Sequence, residues 1–501
     1  MAKPIPARSE NPSAVDITFY SIIAAASLTV LIGYIFIASR SFFFMDDFTA
    51  LYPLVFKESA LPKMNEVYEF RPLSRDLFFS VFYRLFGIES FGYFLINIIA
   101  HGLSSICLFL LLVKLNLSRK LSALVAFLFF SNLAAFEKVT WISNFQHTSY
   151  HFFLFLSALF VILSVDAYGL RKILLASASV ICWICILLSN TAGIFSPAIL
   201  MLLLTIKLQQ NNDGRRKQTL PLILKTTTVH WFFLLIYLAL ILIPYWKQPT
   251  IADPYYVDVS LKTFLNNLNF YCYPGHVFLP HTVGLYLIVL SILYWLFLAP
   301  RATRKLFLEK RLFLNFIILI LISGFAYAPF AFLKYQRYPT YLSVALIPWY
   351  IIILFPLFNK QMRAHTIYEY HKLILPVFVC LLVFSFLPNK QQLIKYFRDS
   401  RKIHIYSAWN QIRSILPVIP SGISKVVFVD EESFKRPEEV VMWKIPPFWW
   451  DVGQGAMFSI LYRRQDIEFE ISAHKIVVGE PNTIYINVKK DLVYYSLSLS
   501  P

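Results

Sequence analysis

Two adjacent carboxylates, Asp46 and Asp47, stand in the string Phe44-Met45-Asp46-Asp47-Phe48, a few residues beyond an apolar run that ends at Ala38. Carboxylates kept at a membrane face, with aromatics around them, usually have chemistry to do: they can take a proton from a hydroxyl or hold a metal ion. A basic segment follows in the same loop, Phe70-Arg71-Pro72-Leu73-Ser74-Arg75. Acid and base together suit a charged substrate handled at the membrane surface. Neighbouring side chains cannot point the same way on a helix or a strand, so the pair predicts a division of roles. One aspartate would abstract a proton while the other binds a metal or holds the loop. The competing reading is a pair that caps a short helix and sits in solvent.

Two further segments carry reactive side chains. In Phe136-Glu137-Lys138-Val139-Thr140-Trp141-Ile142-Ser143-Asn144-Phe145-Gln146-His147, Glu137 and His147 lie at the mouths of consecutive apolar runs, where they could line a polar cavity. Trp141 is either an interface anchor or a surface for stacking a sugar. In Lys334-Tyr335-Gln336-Arg337-Tyr338-Pro339-Thr340-Tyr341-Leu342-Ser343, two cations and three tyrosines gather at a helix end. Arg337 there either grips a phosphate through its planar fork or snorkels from the helix terminus.

The elements that must position these groups are membrane helices. The chain has 501 residues, of which 58% are hydrophobic and 15% charged, with a mean hydropathy of +0.60. A soluble domain is roughly 45–50% apolar and 25% charged, so this is a polytopic α-helical membrane protein. Runs long enough to span, at about 20 residues each, fall near 17–38, 91–113, 121–135, 147–165, 173–189, 194–206, 229–246, 281–299, 313–330, 341–358 and 373–388. That predicts about eleven transmembrane helices, three of them short.

Lys and Arg concentrate in alternate loops: Lys114, Arg119 and Lys120; Arg171 and Lys172; Lys207, Arg215, Arg216, Lys217 and Lys225; Arg301 to Arg311; and Lys360, Arg363 and Lys372. By the positive-inside rule these are cytoplasmic. Asp46, Asp47, Arg71, Glu137, Arg337 and the C-terminal segment then share the non-cytoplasmic face, in a bacterial inner or plasma membrane. The net charge of +18 is spread over those loops, which fits topology and anionic headgroups and argues against a nucleic-acid partner. The first apolar run is too long for a cleavable signal and lacks a cleavage site, so it is expected to remain as an anchor. Four of the five cysteines, Cys107, Cys182, Cys185 and Cys380, lie in apolar runs, and no structural disulfide is expected.

Within the loop 39–90, proline at 72 and glycine at 87 bracket an apolar stretch interrupted by Arg75, Asp76 and Arg84. It reads as a helix lying in the interface, able to hold arginines over a cavity. Residues 1–390 thus form the transmembrane unit. Residues 391–501 form a small α+β or mostly-β extramembrane domain, with strands expected at Lys425–Asp430, Asp466–Ile471 and Thr483–Val488. Gly453-Gln454-Gly455 is too short for a nucleotide fingerprint. Pro446-Pro447-Phe448-Trp449-Trp450 is expected to dock on the membrane rather than to bind glycan.

The order of features resembles the GT-C superfamily of membrane glycosyltransferases, and within it the bacterial, repeat-free relatives of the tetratricopeptide-repeat O-mannosyltransferases. The residues that carry the likeness are Asp46-Asp47, Arg71-Pro72-Leu73, Glu137 through Ser143 and Arg337-Tyr338 through Ser343, over about residues 15–390. The chain departs from that pattern at Ala135, where the family has histidine, and at Asn190-Thr191, where it has a Lys-Glu pair. The resemblance implies transfer of a sugar from a polyprenyl-phosphate donor to a hydroxyl acceptor, with inversion. It also implies Asp46 as base, with Asp47 as its partner or the ligand of a divalent cation such as Mg or Mn. Arg71, Arg75, Lys334 and Arg337 would bind donor phosphate, and Glu137 and Trp141 would orient sugar or acceptor. The rival classes are a non-enzymatic lipid or polysaccharide transporter, which intramembrane charge would favour, and an inactive transferase-like scaffold.

Overall fold

Apolar helices of membrane-spanning length dominate the computed structural model, which describes residues 14–56, 71–131, 138–211, 219–242, 258–271, 310–333, 341, 343–358, 401–430, 448, 452–472, 481–490 and 495–499. Among the described residues seven helices are long and apolar enough to cross a bilayer: Asp16–Ala38, Ser90–Lys114, Ile142–Val165, Gly169–Ser189, Thr191–Gln209, Leu220–Leu240 and Leu312–Ala331. The protein is a multi-pass helical membrane protein. Of the other expected spans, 121–135 is a helix of 13 residues, Arg119–Ser131, and 341–358 contains one of 13, Leu346–Phe358. Both are short of a full crossing. The runs 281–299 and 373–388 lie outside the described residues.

We number the helices α1 (Ala14–Ala38), α2 (Asp46–Val55), α3 (Phe78–Phe86), α4 (Ser90–Lys114), α5 (Arg119–Ser131), α6 (Phe145–Val165), α7 (Gly169–Ser189), α8 (Ser196–Asn211), α9 (Thr219–Tyr237), α10 (Leu261–Tyr271), α11 (Lys310–Ala331), α12 (Leu346–Phe358), α13 (Arg401–Ile415) and α14 (Ala456–Tyr462). Helix α6 is central, with 67% of its spanning window buried, whereas α1 is peripheral with 11%. In α4 the buried face follows Tyr93, Asn97, His101, Ser104, Leu108 and Leu111, the 3–4 spacing of one helical stripe. Helices α6 and α7 meet through small residues: Ser157 Oγ donates to the Ser179 carbonyl at 2.9 Å and Ser179 Oγ to the Ser157 carbonyl at 3.0 Å. Small hydroxylated residues let backbones approach closely in lipid, where no hydrophobic force draws helices together.

The two ends of the bundle differ. At one end Lys207 pairs with Asp166 at 2.8 Å and donates to the Lys114 carbonyl, while Lys120 pairs with Asp16. These ion pairs and the hydrogen bond link the ends of α1 and α5 and of α4, α6 and α8, with the lysines on α5 and α8 and the aspartates on α1 and at the end of α6. The opposite end carries α2, α3 and the C-terminal residues.

There a four-stranded sheet is ordered β2-β1-β3-β4, with β1 (Lys425–Val429) parallel to β2 (Glu468–Ser472) and to β3 (Thr483–Lys490), and β3 antiparallel to β4 (Tyr495–Leu499). Three strands match the expected alternation; β4 was not anticipated. A parallel pair needs a crossover, and α14 lies in the one between β1 and β2. Phe458 of α14 stacks on Phe428 of β1 at 4.2 Å. Phe448, expected at the membrane with its tryptophan neighbours, is fully buried beside these two rings. Trp449 and Trp450 lie outside the described residues.

One hydrophobic cluster joins this sheet to the acidic loop. It runs from Phe42, Phe43, Phe44, Phe48 and Leu51 through Tyr93 and Phe94 to Trp409, Phe428 and Phe458, with Phe42 against Trp409 at 5.1 Å. A second cluster fills the bundle between α4, α6, α8 and α11.

Candidate functional site

The aspartate pair is divided by a strained turn. Met45 adopts φ 50° and ψ −113°, a conformation that costs a side-chain-bearing residue about 1–3 kcal/mol. It swings Asp46 outward and Asp47 inward. Asp46 occupies the first position of α2 and is solvent-exposed, where a negative charge also suits the helix dipole. Its carbonyl accepts from Thr49 Oγ1 at 2.9 Å. Asp47 is fully buried.

The Asp47 carboxylate is held from two sides. Oδ2 accepts from the Phe44 N–H at 3.0 Å, and the Asp47 N–H donates back to the Phe44 carbonyl at 3.0 Å. Oδ1 accepts from the Ser143 N–H at 2.7 Å and from the Ser143 hydroxyl. Ser143 lies in a 3₁₀ turn, Ile142–Asn144, which is held from behind by Asn97 Nδ2, donating to the Trp141 and Ile142 carbonyls at 3.3 and 3.2 Å. Asp47 thus ties the first loop to the second. Among the described residues no three His, Cys, Asp or Glu side chains are grouped as a metal would require.

The Trp141 ring is 8% exposed and packs edge-on against Phe44 at 5.9 Å. Its position supports the acidic turn from below. Glu137, Lys334 and Arg337 lie outside the described residues. The flanks of the last two are described: Phe330 and Tyr341 stack at 4.0 Å, and the His147 ring lies 5.2 Å from Tyr341.

The C-terminal segment closes on the turn. Gly453 has φ +64°, and a β-carbon there would stand 2.9 Å from Phe48 Cβ and 3.0 Å from the Met45 carbonyl oxygen. Gly453, Gln454 and Gly455 all have positive φ, so this short string is a tight backbone turn pressed against the start of α2. Its glycines serve close approach.

Arg71 and Arg75 are both half-buried. Arg71 precedes a π-helical turn, Pro72–Leu77, that runs directly into α3, and the Arg75 N–H donates to the Arg71 carbonyl at 2.9 Å. Such wide turns recur at functional sites. Ser74, buried within the turn, donates to the Ser189 carbonyl at 2.7 Å, which pins the loop to the end of α7. The next residue, Asn190, accepts from the Ala192 N–H at 2.9 Å through Oδ1, and its Nδ2 lies 3.1 Å from His147 Nδ1.

Behind this face lies a buried lysine that the sequence reading did not single out. Lys138 is fully buried, with Nζ 3.1 Å from His151 Nδ1 and 4.9 Å from the centre of the Phe129 ring. Burial holds its ammonium well below the usual lysine range. His101 Nε2 contacts the Phe130 carbonyl at 3.1 Å, and its ring lies 5.1 Å from Phe129. Comparison of the chain with protein-family models, with curated proteins and with solved structures finds no match.

Proposed function

We propose that this protein is a membrane glycosyltransferase of the GT-C type, moving a sugar from a polyprenyl-phosphate donor to a hydroxyl acceptor. The observation that carries the reading is the division of the acidic pair: Asp47 is buried under three hydrogen bonds, and Asp46 is thereby presented to solvent on a strained turn. In this reading Asp46 takes the acceptor's proton as its oxygen attacks the anomeric carbon, and the phosphate leaves with the bonding electrons. Arg71, with Arg75, Lys334 and Arg337, would offset the charge that grows on the departing phosphate. Glu137 would orient acceptor or donor. A divalent cation could supply part of that positive charge.

The basic end of the bundle would face the cytoplasm and the acidic turn the opposite side. A lipid-linked donor suits this arrangement, because its chain stays in the bilayer while the sugar reaches the turn. His101 and His151 are buried within spanning helices, with Lys138 beside His151, and intramembrane basic groups would favour a transporter. Their contacts with each other and with Phe129 and Phe130 are those of packed groups, and no line of charge connects them to the basic end among the described residues.

The test is transfer from undecaprenyl-phosphate mannose, and from other undecaprenyl-phosphate sugars in parallel, by purified wild type and Asp46→Asn. The amide is nearly isosteric but cannot accept the proton, so turnover should fall about 10²–10⁴-fold. Wild type without transfer on any of these donors would favour the scaffold or transporter.

A further inference from the structure

We propose that an apolar slot at the basic end of the bundle binds one acyl chain of an anionic phospholipid, drawn from the leaflet on that side. The slot is a partly open cavity of about 260 Å³ between α4, α6, α8, α11 and α12, and every residue lining it is apolar except Asn116 and Asn315. An apolar cavity of roughly 150 Å³ already stays dry and takes up benzene or xenon. Water is therefore a poor occupant of this larger one, and hydrocarbon a good one. Along α11 the lining runs from Leu312 to Ile322, which at 1.5 Å per residue is a length of about 15 Å. The hydrocarbon core of a bilayer is about 30 Å thick, so the slot has the depth of one leaflet.

Two features at the mouth select the occupant. Leu115, Asn116 and Leu117 line the slot where α4 ends, and the exposed Lys114 and Arg119 flank them in the chain. Helix α11 opens on Lys310 and Arg311, directly before the lining residue Leu312. Basic residues at a membrane surface attract anionic headgroups. One turn further in, Asn315 Oδ1 is buried with no hydrogen-bond partner among the described residues. Buried polar atoms are ordinarily paired, so this amide marks the level at which a ligand's polar group belongs. Turned over, the amide brings its NH₂ to that place, where an ester carbonyl, which can only accept, completes it. A phospholipid carries its esters just inside the headgroup and its chains below them, which is the order found here. A polyprenyl phosphate has no ester, and in the transferase reading its phosphate belongs at the acidic turn, at the other end of the bundle. The slot is separate from that turn, whatever chemistry the turn performs.

The test uses full-length protein in phosphatidylcholine nanodiscs and three lipids that carry a photoactivatable diazirine in the chain: phosphatidylglycerol, phosphatidylcholine and geranylgeranyl phosphate. Phe316 and Ile322 line the slot and are each 5% exposed, whereas Ile317 and Ile320 of the same helix are 38% and 46% exposed and meet any surrounding lipid. The quantity read is labelling of the inner pair relative to the outer pair. It should be about fivefold higher with phosphatidylglycerol than with phosphatidylcholine, the scale of one basic residue at the surface. Asn315→Leu should lower the phosphatidylglycerol ratio by about fivefold, the scale of one hydrogen bond, with a thermal midpoint in detergent that is unchanged or raised. Leu319→Trp, which fills the slot from α11, should abolish inner labelling and leave the outer pair unchanged. If that variant does not fold, Asn315→Leu decides. An inner pair left unlabelled in wild type overturns the slot as a lipid site. Equal ratios for the two phospholipids, or a wild-type ratio in Asn315→Leu, also overturn the proposal. Preferential inner labelling by geranylgeranyl phosphate would give the slot to a prenyl chain and overturn the phospholipid as its occupant.

Discussion

The acidic turn and the Lys138 region both bury a charge-bearing side chain at the same end of the bundle, and they satisfy it in opposite ways. Asp47 receives two backbone N–H groups and a hydroxyl, from positions 44 and 143, so its charge is compensated by donors fixed in the backbone. Lys138 meets an imidazole and an aromatic face. A carboxylate held this way locks two loops together, and a lysine held this way has its charged form disfavoured by burial. Asp47 thus fixes the turn on which its exposed neighbour sits, and Lys138 is a packed amine.

The largest effect should come from breaking the compensated site. Asp47→Ala leaves the Phe44 and Ser143 N–H groups and the Ser143 hydroxyl without an acceptor, at about 1–3 kcal/mol each. We expect a loss of roughly 3–6 kcal/mol, read as a fall in thermal midpoint and as protease cleavage within the first loop. A loss under about 1 kcal/mol would mean that the turn is held by its aromatics alone. Asp47→Asn should lie between, because it keeps an acceptor toward Ser143 but turns a donor toward the Phe44 N–H.

Gly453→Ala tests how firmly the C-terminal segment seats on that turn. The added carbon would meet Phe48 and the Met45 carbonyl in a backbone conformation that alanine resists, at a cost of about 1–3 kcal/mol. Sugar transfer should fall with it, since the Met45 strain that presents Asp46 is held partly by this contact. Full transfer in Gly453→Ala would separate the C-terminal segment from the site.

The smallest effect is expected at Lys138. Its pKa is lowered on folding, so the unfolded chain binds more protons than the folded one below the ordinary lysine pKa of about 10.4. Stability should therefore rise with pH up to that value and be depressed below it. Lys138→Met should remove that slope and be at least as stable as wild type at neutral pH. A Met variant that is markedly less stable at pH 7 would show Lys138 to be charged and paired.

Long apolar helices were legible because span length and composition are local properties: the runs at 17–38, 91–113, 147–165 and 173–189 fall on Asp16–Ala38, Ser90–Lys114, Ile142–Val165 and Gly169–Ser189. A division of roles between Asp46 and Asp47 was also legible, since adjacent side chains diverge. Which carboxylate turns inward was not, because that is decided by Ser143, 96 residues away. Contacts of that range also hide the link between His147 and Asn190, 43 residues on. Lys138 gave no signal at all: a lysine beside an aromatic loop is ordinary as sequence. Gly453-Gln454-Gly455 was recognisable as unusual, but its use in closing against α2 depends on tertiary packing.

We propose that Asp46 performs chemistry while Asp47 maintains the turn. The direct measurement is turnover on an undecaprenyl-phosphate sugar by Asp46→Asn and Asp47→Asn, each beside its thermal midpoint. Asp46→Asn should lose about 10²–10⁴ in turnover with a stability change below about 1 kcal/mol, the scale of a charge at an exposed helix start. Asp47→Asn should lose stability first. Undiminished turnover in Asp46→Asn, with a loss confined to a stably folded Asp47→Asn, would contradict the assignment and give the catalytic role to the buried aspartate.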